Sequence, residues 1–220
     1  MSPTQIAIYG AGGFAREVAW LVQSCNAEEA DLYQLVCFVD DNQDAHGLIL
    51  NDIPVMGLED AHLRFPDAKI VGGVGSPRTR QRLMEKASKV GFDFGIIIHP
   101  RVERSEWIDF GAGTVICAGN ILTVNIKLGR HVQINLDCTI GHDAILDDFV
   151  TLAPGVHISG YVHLGKRVYL GTGAVIINGT RKEPILIGDD AVIGAGACVT
   201  KSVPSGQVVV GIPAHPLRRK

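Results

Sequence analysis

Residues 134–160 read INLDCTIGHDAILDDFVTLAPGVHISG. Ile134, Ile140, Leu146, Leu152 and Ile158 fall six apart, and Cys138, Ala144, Val150 and Val156 keep the same interval, four places behind. A helix repeats every 3.6 residues and a strand every two, so neither accounts for this period. A coil built from flat six-residue sides does, because each side sends one large and one small residue into a narrow core. The beat runs on in both directions. Ile98, Arg104, Phe110, Ile116, Leu122 and Leu128 precede the stretch, and Leu164, Leu170 and Ile176 follow it; only Arg104 is not apolar. The rhythm then slips by five residues around Arg181–Pro184 and resumes at Ile187, Ile193 and Val199. That extra length is expected to leave the coil as a loop.

Residues 1–97 keep a different rhythm. Apolar strands at Ile6–Tyr9, Leu35–Asp41, Lys69–Gly75 and Phe94–Ile98 alternate with helical patterns. One helix carries Val18, Leu21, Val22 and Cys25 at helical spacing, and Ser76–Pro77 opens another as N-cap and first-turn pair. Alternating strands and helices imply a parallel sheet covered on both faces. The chain thus divides into an α/β Rossmann-like domain (1–97), a parallel β-helix (98–205) and a tail (206–220).

The sequence is 46% hydrophobic and 20% charged, with net charge −3, which favours a packed globular protein and argues against general nucleic-acid binding. No run approaches the ~18 apolar residues of a membrane span. MSPTQIAIYG enters a strand pattern directly, without a signal peptide's basic and apolar regions. A soluble, cytoplasmic protein without membrane contact is expected. Cys25, Cys37, Cys117, Cys138 and Cys198 form no CxxC and leave one unpaired, so neither disulfides nor structural zinc is expected, and no other metal is called for.

Two stretches carry chemistry. GAGGFARE places Gly10, Gly12 and Ala15 in a G-x-G-x-x-A pattern between a strand and a helix, where free amides and the helix dipole attract phosphate. A tight turn without a ligand is the plainer reading of the same residues. Asp40, ending the next strand, can accept from a ribose hydroxyl or a base. A full dinucleotide domain needs about six strands. Only about four fit here, which favours a single nucleotide diphosphate over NAD.

The second stretch is His142–Asp143. If three sides make one coil, residues eighteen apart stack, and Gly160 lies one coil beyond His142. His142 is the third residue of its hexad, off the inward positions, so it faces out. Asp143 can hold one ring nitrogen while the other accepts a proton. A histidine in that setting can serve as a general base at neutral pH, and the Gly160 amide can donate to an oxyanion. His157 and His163 close their hexads and face solvent or a neighbouring subunit. The other histidines have no such context.

The hexads, together with IGAGACVT and GIPA near the end, resemble the hexapeptide acyltransferases, which are left-handed parallel β-helices working as trimers. With the first half included, the chain is similar to NeuD/PglD-type sugar-nucleotide acetyltransferases over nearly its whole length. That resemblance implies the hand of the coil, a homotrimer, and a nucleotide-linked amino sugar and acetyl-CoA as substrates. It implies that Gly12, Gly13 and Phe14 approach the diphosphate, while Asp40, Asp41, Gly75 and Ser76 line the nucleoside. By the same resemblance His142 is the base, Asp143 orients it, Asn135 is an active-site asparagine and Gly160 supplies the oxyanion hole. Gly173, Gly194 and Ala195 would meet the pantetheine arm of acetyl-CoA in a cleft between subunits.

Phe14 and Thr151 stand where many relatives carry histidine, which bears on one diphosphate contact and on the acyl-donor side. Lys201 and the basic tail Arg218–Lys220 can meet CoA phosphates or remain solvated. N-acetylation of a nucleotide-linked 4-amino sugar is the leading expectation. O-acetylation of a sialic-acid-type sugar and a non-catalytic nucleotide-sugar-binding trimer are the alternatives.

Overall fold

A computed structural model describes residues 2–217, so the basic tip Arg218–Lys220 lies outside the described residues. The chain packs as two compact units, Met1–Pro100 with Ala112–Val115, and Arg101–Gly111 with Ile116–Lys220. Among the described residues no helix is long and apolar enough to cross a membrane.

The first unit is built on β1 (Thr4–Tyr9), α1 (Gly13–Glu28), β2 (Tyr33–Val39), β3 (Ile49–Leu50), β4 (Ile53–Met56), α2 (Leu58–Arg64), β5 (Lys69–Gly72), α3 (Pro77–Val90) and β6 (Asp93–Phe94). Its sheet runs β3-β4-β2-β1-β5-β6, parallel except for the β3–β4 hairpin. Six strands replace the four expected, so strand count gives no ground for preferring a mononucleotide. The two overlooked strands are short and carry Pro54. Asn51 and Asp52 turn between them, both at positive φ (48° and 66°), as a tight hairpin of the type I′ class requires. The expected strand Phe94–Ile98 also divides: Phe94 ends β6, and Ile97–Ile98 form a separate strand, β7, after the buried Gly95. Val18, Leu21, Val22 and Cys25 of α1 are all buried, as their spacing predicts. Ser76 does precede α3, but its side chain makes no capping hydrogen bond.

In the second unit the hexads form the three sides of a parallel coil, with pairs Gln133–Ile134↔Thr151–Leu152, Thr139–Ile140↔His157–Ile158 and Ile145–Leu146↔His163–Leu164 eighteen residues apart. The beat residues from Leu122 to Ile176 are at most 4% exposed, as are the smaller residues between them from Val132 to Ala174. Each buried Leu or Ile contributes about 1.5–3 kcal/mol. Arg104, at the start of the coil, is exposed and lies over the Phe110 ring.

The corners keep their own period of six. Positions 113, 119, 125, 131, 137, 143, 149, 155, 161, 167 and 173 all take positive φ. Glycine, asparagine and aspartate fill seven of them, the residues that enter this conformation at least cost. The loop at 178–184 leaves and returns at one corner, because Gly179 N donates to Gly160 O and Ile185 N to Tyr161 O. Val208–Val210, within the segment read as a tail, adds another parallel strand beside Val192–Ile193.

Candidate active site

The coil stacks its corners into three columns. One holds Val124–Asn125, His142–Asp143 and Gly160–Tyr161, tied by Asp143 N→Val124 O and Tyr161 N→His142 O at 3.1 Å each. Asp143 lies at φ 57°. Its carboxylate accepts from His142 Nδ1 at 2.8 Å, and that bond above all holds it below the usual range for aspartate. It therefore stays ionised across the neutral range, and the tautomer with Nε2 bare is favoured. The imidazole is half exposed and meets the Tyr161 ring edge-on, centroids 5.1 Å apart.

The ring lies against Gly160, where a Cβ would stand 2.5 Å from Nε2 and 2.6 Å from Cε1. Any side chain there would displace the imidazole. The Gly160 amide, whose residue is buried, donates to no acceptor among the described residues. A proton acceptor and an unspent donor thus stand side by side. Tyr161 was not singled out in the sequence, although the eighteen-residue spacing from Asp143 points to it.

A second acid–histidine pair, His163 Nε2 to Asp147 Oδ2 at 3.0 Å, lies on a flat side. Its strand neighbours along the stack are Ile145 and Leu186, so no glycine opens space beside that ring. His157 is exposed and its Nδ1 lies 2.9 Å from Thr139 Oγ1.

The remaining residues expected at the acyl site are not brought to His142 within one chain. Gly173 stacks on Pro154–Gly155, and Ala195 stands against Gly171, both in a different corner column. Asn135 and Thr151 flank the side that precedes that second column. Asn135 is 8% exposed, with its amide donating to Leu152 O at 2.9 Å, and Thr151 is 1% exposed. Neither side chain is placed to reach the imidazole of its own chain. Gly194 would clash with Val210 if it carried a Cβ, the contact being 2.7 Å. Lys201 is exposed and follows the strand Cys198–Val199, which continues the side leading to the His142 column.

In the first unit, the chain turns back between β1 and β5, the point at which such sheets hold ligands, outside the carboxyl ends of the strands. Gly10 sits there at φ 119°, where a Cβ would touch Val74 Cγ2 at 3.0 Å. Above Gly12 and Gly13 a Cβ would meet nothing, which leaves the backbone open to a ligand. Phe14, half-buried, is the second residue of α1. A cavity of 210 Å³ lies between Gly10, Asp40, Asp41, Val74 and Arg82, and a second of 380 Å³ is lined by Tyr9, Asp41, His46 and Lys86.

Asp40 is partly committed to holding the loop, accepting from Ala11 N at 3.1 Å and Asn42 N at 2.9 Å. Asp41 accepts from Tyr9 Oη at 2.7 Å and from Lys86 Nζ. Partial burial pushes its carboxyl up, but those two bonds together with the positive charges of Lys86 and Arg82 leave Asp41 below the usual range. Burial first, then the same carboxylate, drives the Tyr9 phenol well above its ordinary value. Lys86 was not foreseen; its position four residues beyond Arg82 on α3 was the available signal.

Comparison with known proteins places this geometry. Residues 5–87 match the family model of the PglD N-terminal domain. The chain is 35% identical over 215 residues to GDP-perosamine N-acetyltransferase of Escherichia coli O157:H7, covering 96% of each chain. The acetyltransferase domain of PglB from Neisseria gonorrhoeae FA1090, solved with acetyl coenzyme A, superposes with a TM-score of 0.86 at 31% identity, covering 98% of this chain and all of that one. PerB from Caulobacter crescentus, solved with CoA and GDP-perosamine, gives a TM-score of 0.84 at 27% identity over 97% of each chain. These likenesses extend over both units and carry the left-handed sense of the coil. The chain belongs to the PglD-type sugar-nucleotide acetyltransferase family.

Proposed function

We propose that this protein N-acetylates a GDP-linked 4-amino sugar in the cytoplasm, taking the acetyl group from acetyl-CoA, with His142 as general base. One observation carries the chemistry: Nδ1 of His142 is held by Asp143 while Nε2 stands bare beside the Gly160 amide. The nucleotide and the sugar class come from the relatives, one named for GDP-perosamine and another solved in complex with it. Five free cysteines suit a reducing compartment.

In this reading the neutral 4-amine attacks the thioester carbonyl, and a C–N bond forms as the carbonyl π pair moves onto oxygen. Nε2 takes the proton from the nitrogen, leaving an imidazolium stabilised by Asp143. The Gly160 N–H donates to the oxyanion, an interaction worth about 3 kcal/mol where a fixed donor is used. Collapse of the intermediate breaks the C–S bond, and the imidazolium returns its proton to the departing thiolate. The amide product and free CoA result, with no net proton change at His142.

The two half-sites also bear on assembly. Gly173 and Ala195 line a corner other than that of His142, so the acyl-donor half is supplied by a second copy, in keeping with a homotrimer. The crevice between β1 and β5, with Gly12, Gly13, Phe14, Asp40, Asp41, Gly75 and Ser76, holds the nucleotide.

The test is a panel of GDP-, UDP- and dTDP-linked 4-amino sugars and their 4-hydroxy counterparts, each assayed for CoA release with acetyl-CoA. Turnover is expected with a GDP-linked amine, at least ~100-fold lower in His142→Ala, the scale of losing a general base. Asp143→Asn should lose less, since asparagine keeps the corner conformation and a side-chain contact to the ring. Nucleotide-sugar binding without CoA release on any substrate would leave a non-catalytic binding trimer. Full turnover in His142→Ala would remove the base.

A further inference from the structure

Arg80 is an unusual residue for its place: a charged side chain on α3 that is 0% exposed. Its guanidinium donates from one nitrogen to Val74 O at 3.0 Å and to Gly75 O at 3.2 Å. Burial alone pulls its pKa down to about 9, so it remains a cation at neutral pH and one that water hardly screens.

The peptide plane then dictates what faces outward. In a trans peptide the C=O of one residue and the N–H of the next point in opposite directions. Because Val74 O is drawn inward onto Arg80, the Gly75 N–H is turned away from the guanidinium. Because Gly75 O is drawn inward, the Ser76 N–H is turned the same way. Both residues lie on the surface side, where a Cβ on Gly75 would meet nothing, and Val74 lines the cavity at the β1–β5 crevice. Without Arg80 the Val74 carbonyl would lose this donor, at a cost that favours flipping its peptide. A flipped loop would present carbonyl oxygens to an anionic or carbonyl-bearing ligand and repel it.

We infer that Arg80 is a positioning residue for nucleotide binding: it holds the Val74–Gly75 carbonyls inward so that consecutive amides of Gly75 and Ser76 face an acceptor oxygen of the nucleotide. The inference rests on the proposed nucleotide-sugar reading of the crevice. The acceptor is a phosphoryl oxygen or a ring carbonyl of the base, and the ligands below separate the two.

Two variants probe the role from opposite sides. Arg80→Lys keeps the charge, but its ammonium ends one bond short of the guanidinium nitrogen that meets both carbonyls. Ser76→Pro leaves the core untouched and removes one amide, and it fits because Ser76 already has φ −66°. Binding of GDP, guanosine and acetyl-CoA is measured by calorimetry on the intact protein. GDP affinity is expected to fall about tenfold in Arg80→Lys, and about tenfold further in Ser76→Pro than in Ser76→Ala, with acetyl-CoA affinity unchanged in all three. Parallel loss of guanosine binding identifies the base carbonyl; loss confined to GDP identifies the phosphate. If Arg80→Lys fails to fold, the proline comparison decides alone. Unchanged GDP affinity in a folded Arg80→Lys, or equal affinities for Ser76→Pro and Ser76→Ala, overturns the role. A wild-type protein that binds neither guanosine ligand overturns the functional reading itself, and this inference with it.

Discussion

Gly160 concentrates the residue-scale argument, because the imidazole occupies the space its missing side chain would fill. Gly160→Ala would place a methyl 2.5 Å from Nε2. The ring end is free to swing and Gly160 has ordinary negative φ, so folding should survive while the ring leaves the Gly160 amide. The expected outcome is a loss of turnover approaching that of His142→Ala with Tm within a few degrees of wild type, read by steady-state kinetics and calorimetry. Turnover near the wild-type rate would mean that the ring need not lie there. This pairing was legible beforehand, since a period of six fixes which residues stack. The surroundings of Asn135 and Thr151 were not. Their hexad positions say which side of the coil they occupy, but not that Asn135 turns its amide onto Leu152 O, or that Thr151 is enclosed.

At the scale of the element, the coil depends on glycines where successive corners touch backbone to backbone. A Cβ on Gly129 would lie 2.6 Å from Asp148 N and 2.7 Å from Asp147 C, neither of which can move alone. Gly129→Ala should therefore destabilise the coil by about 1–3 kcal/mol, the range for overpacking, while leaving the His142 column in place. Thermal unfolding checks this, and a Tm equal to wild type would show that the coils slide apart more easily than their packing implies. The coil was readable because fourteen beats repeat one signal. The β3–β4 hairpin was not, because two short strands around Asn51–Asp52 carry too few residues for a period to show. The break at Gly95 was hidden for the opposite reason: β6 and β7 run together as one apolar string, and only tertiary context separates them.

For the whole molecule, a site shared between copies makes a prediction that a self-contained site does not. Gly173 takes φ 68°, has open space above it and stacks in the column away from His142. Gly173→Asp tolerates that conformation yet obstructs the acyl-donor half. His142→Ala and Gly173→Asp should each be nearly inactive alone. Mixed and reassembled in equal amounts, they should recover about a quarter of wild-type activity, the share of interfaces pairing two intact halves under random cyclic assembly. No recovery in confirmed mixed oligomers would place both halves in one chain. The columns themselves were foreseeable from spacing, whereas which column faces which is a property of the assembly and leaves no periodic trace. The stacked corners have a further consequence for how such a chain can change in length. Whole coils of eighteen residues can be gained or lost without altering which face any later residue occupies. A change of six would turn everything downstream by a third of a revolution and carry functional groups onto the wrong face. The excursion at 178–184 escapes this arithmetic because it departs and re-enters at the same corner. The corner is thus where this architecture accepts arbitrary insertions, and the flat sides keep a strict phase.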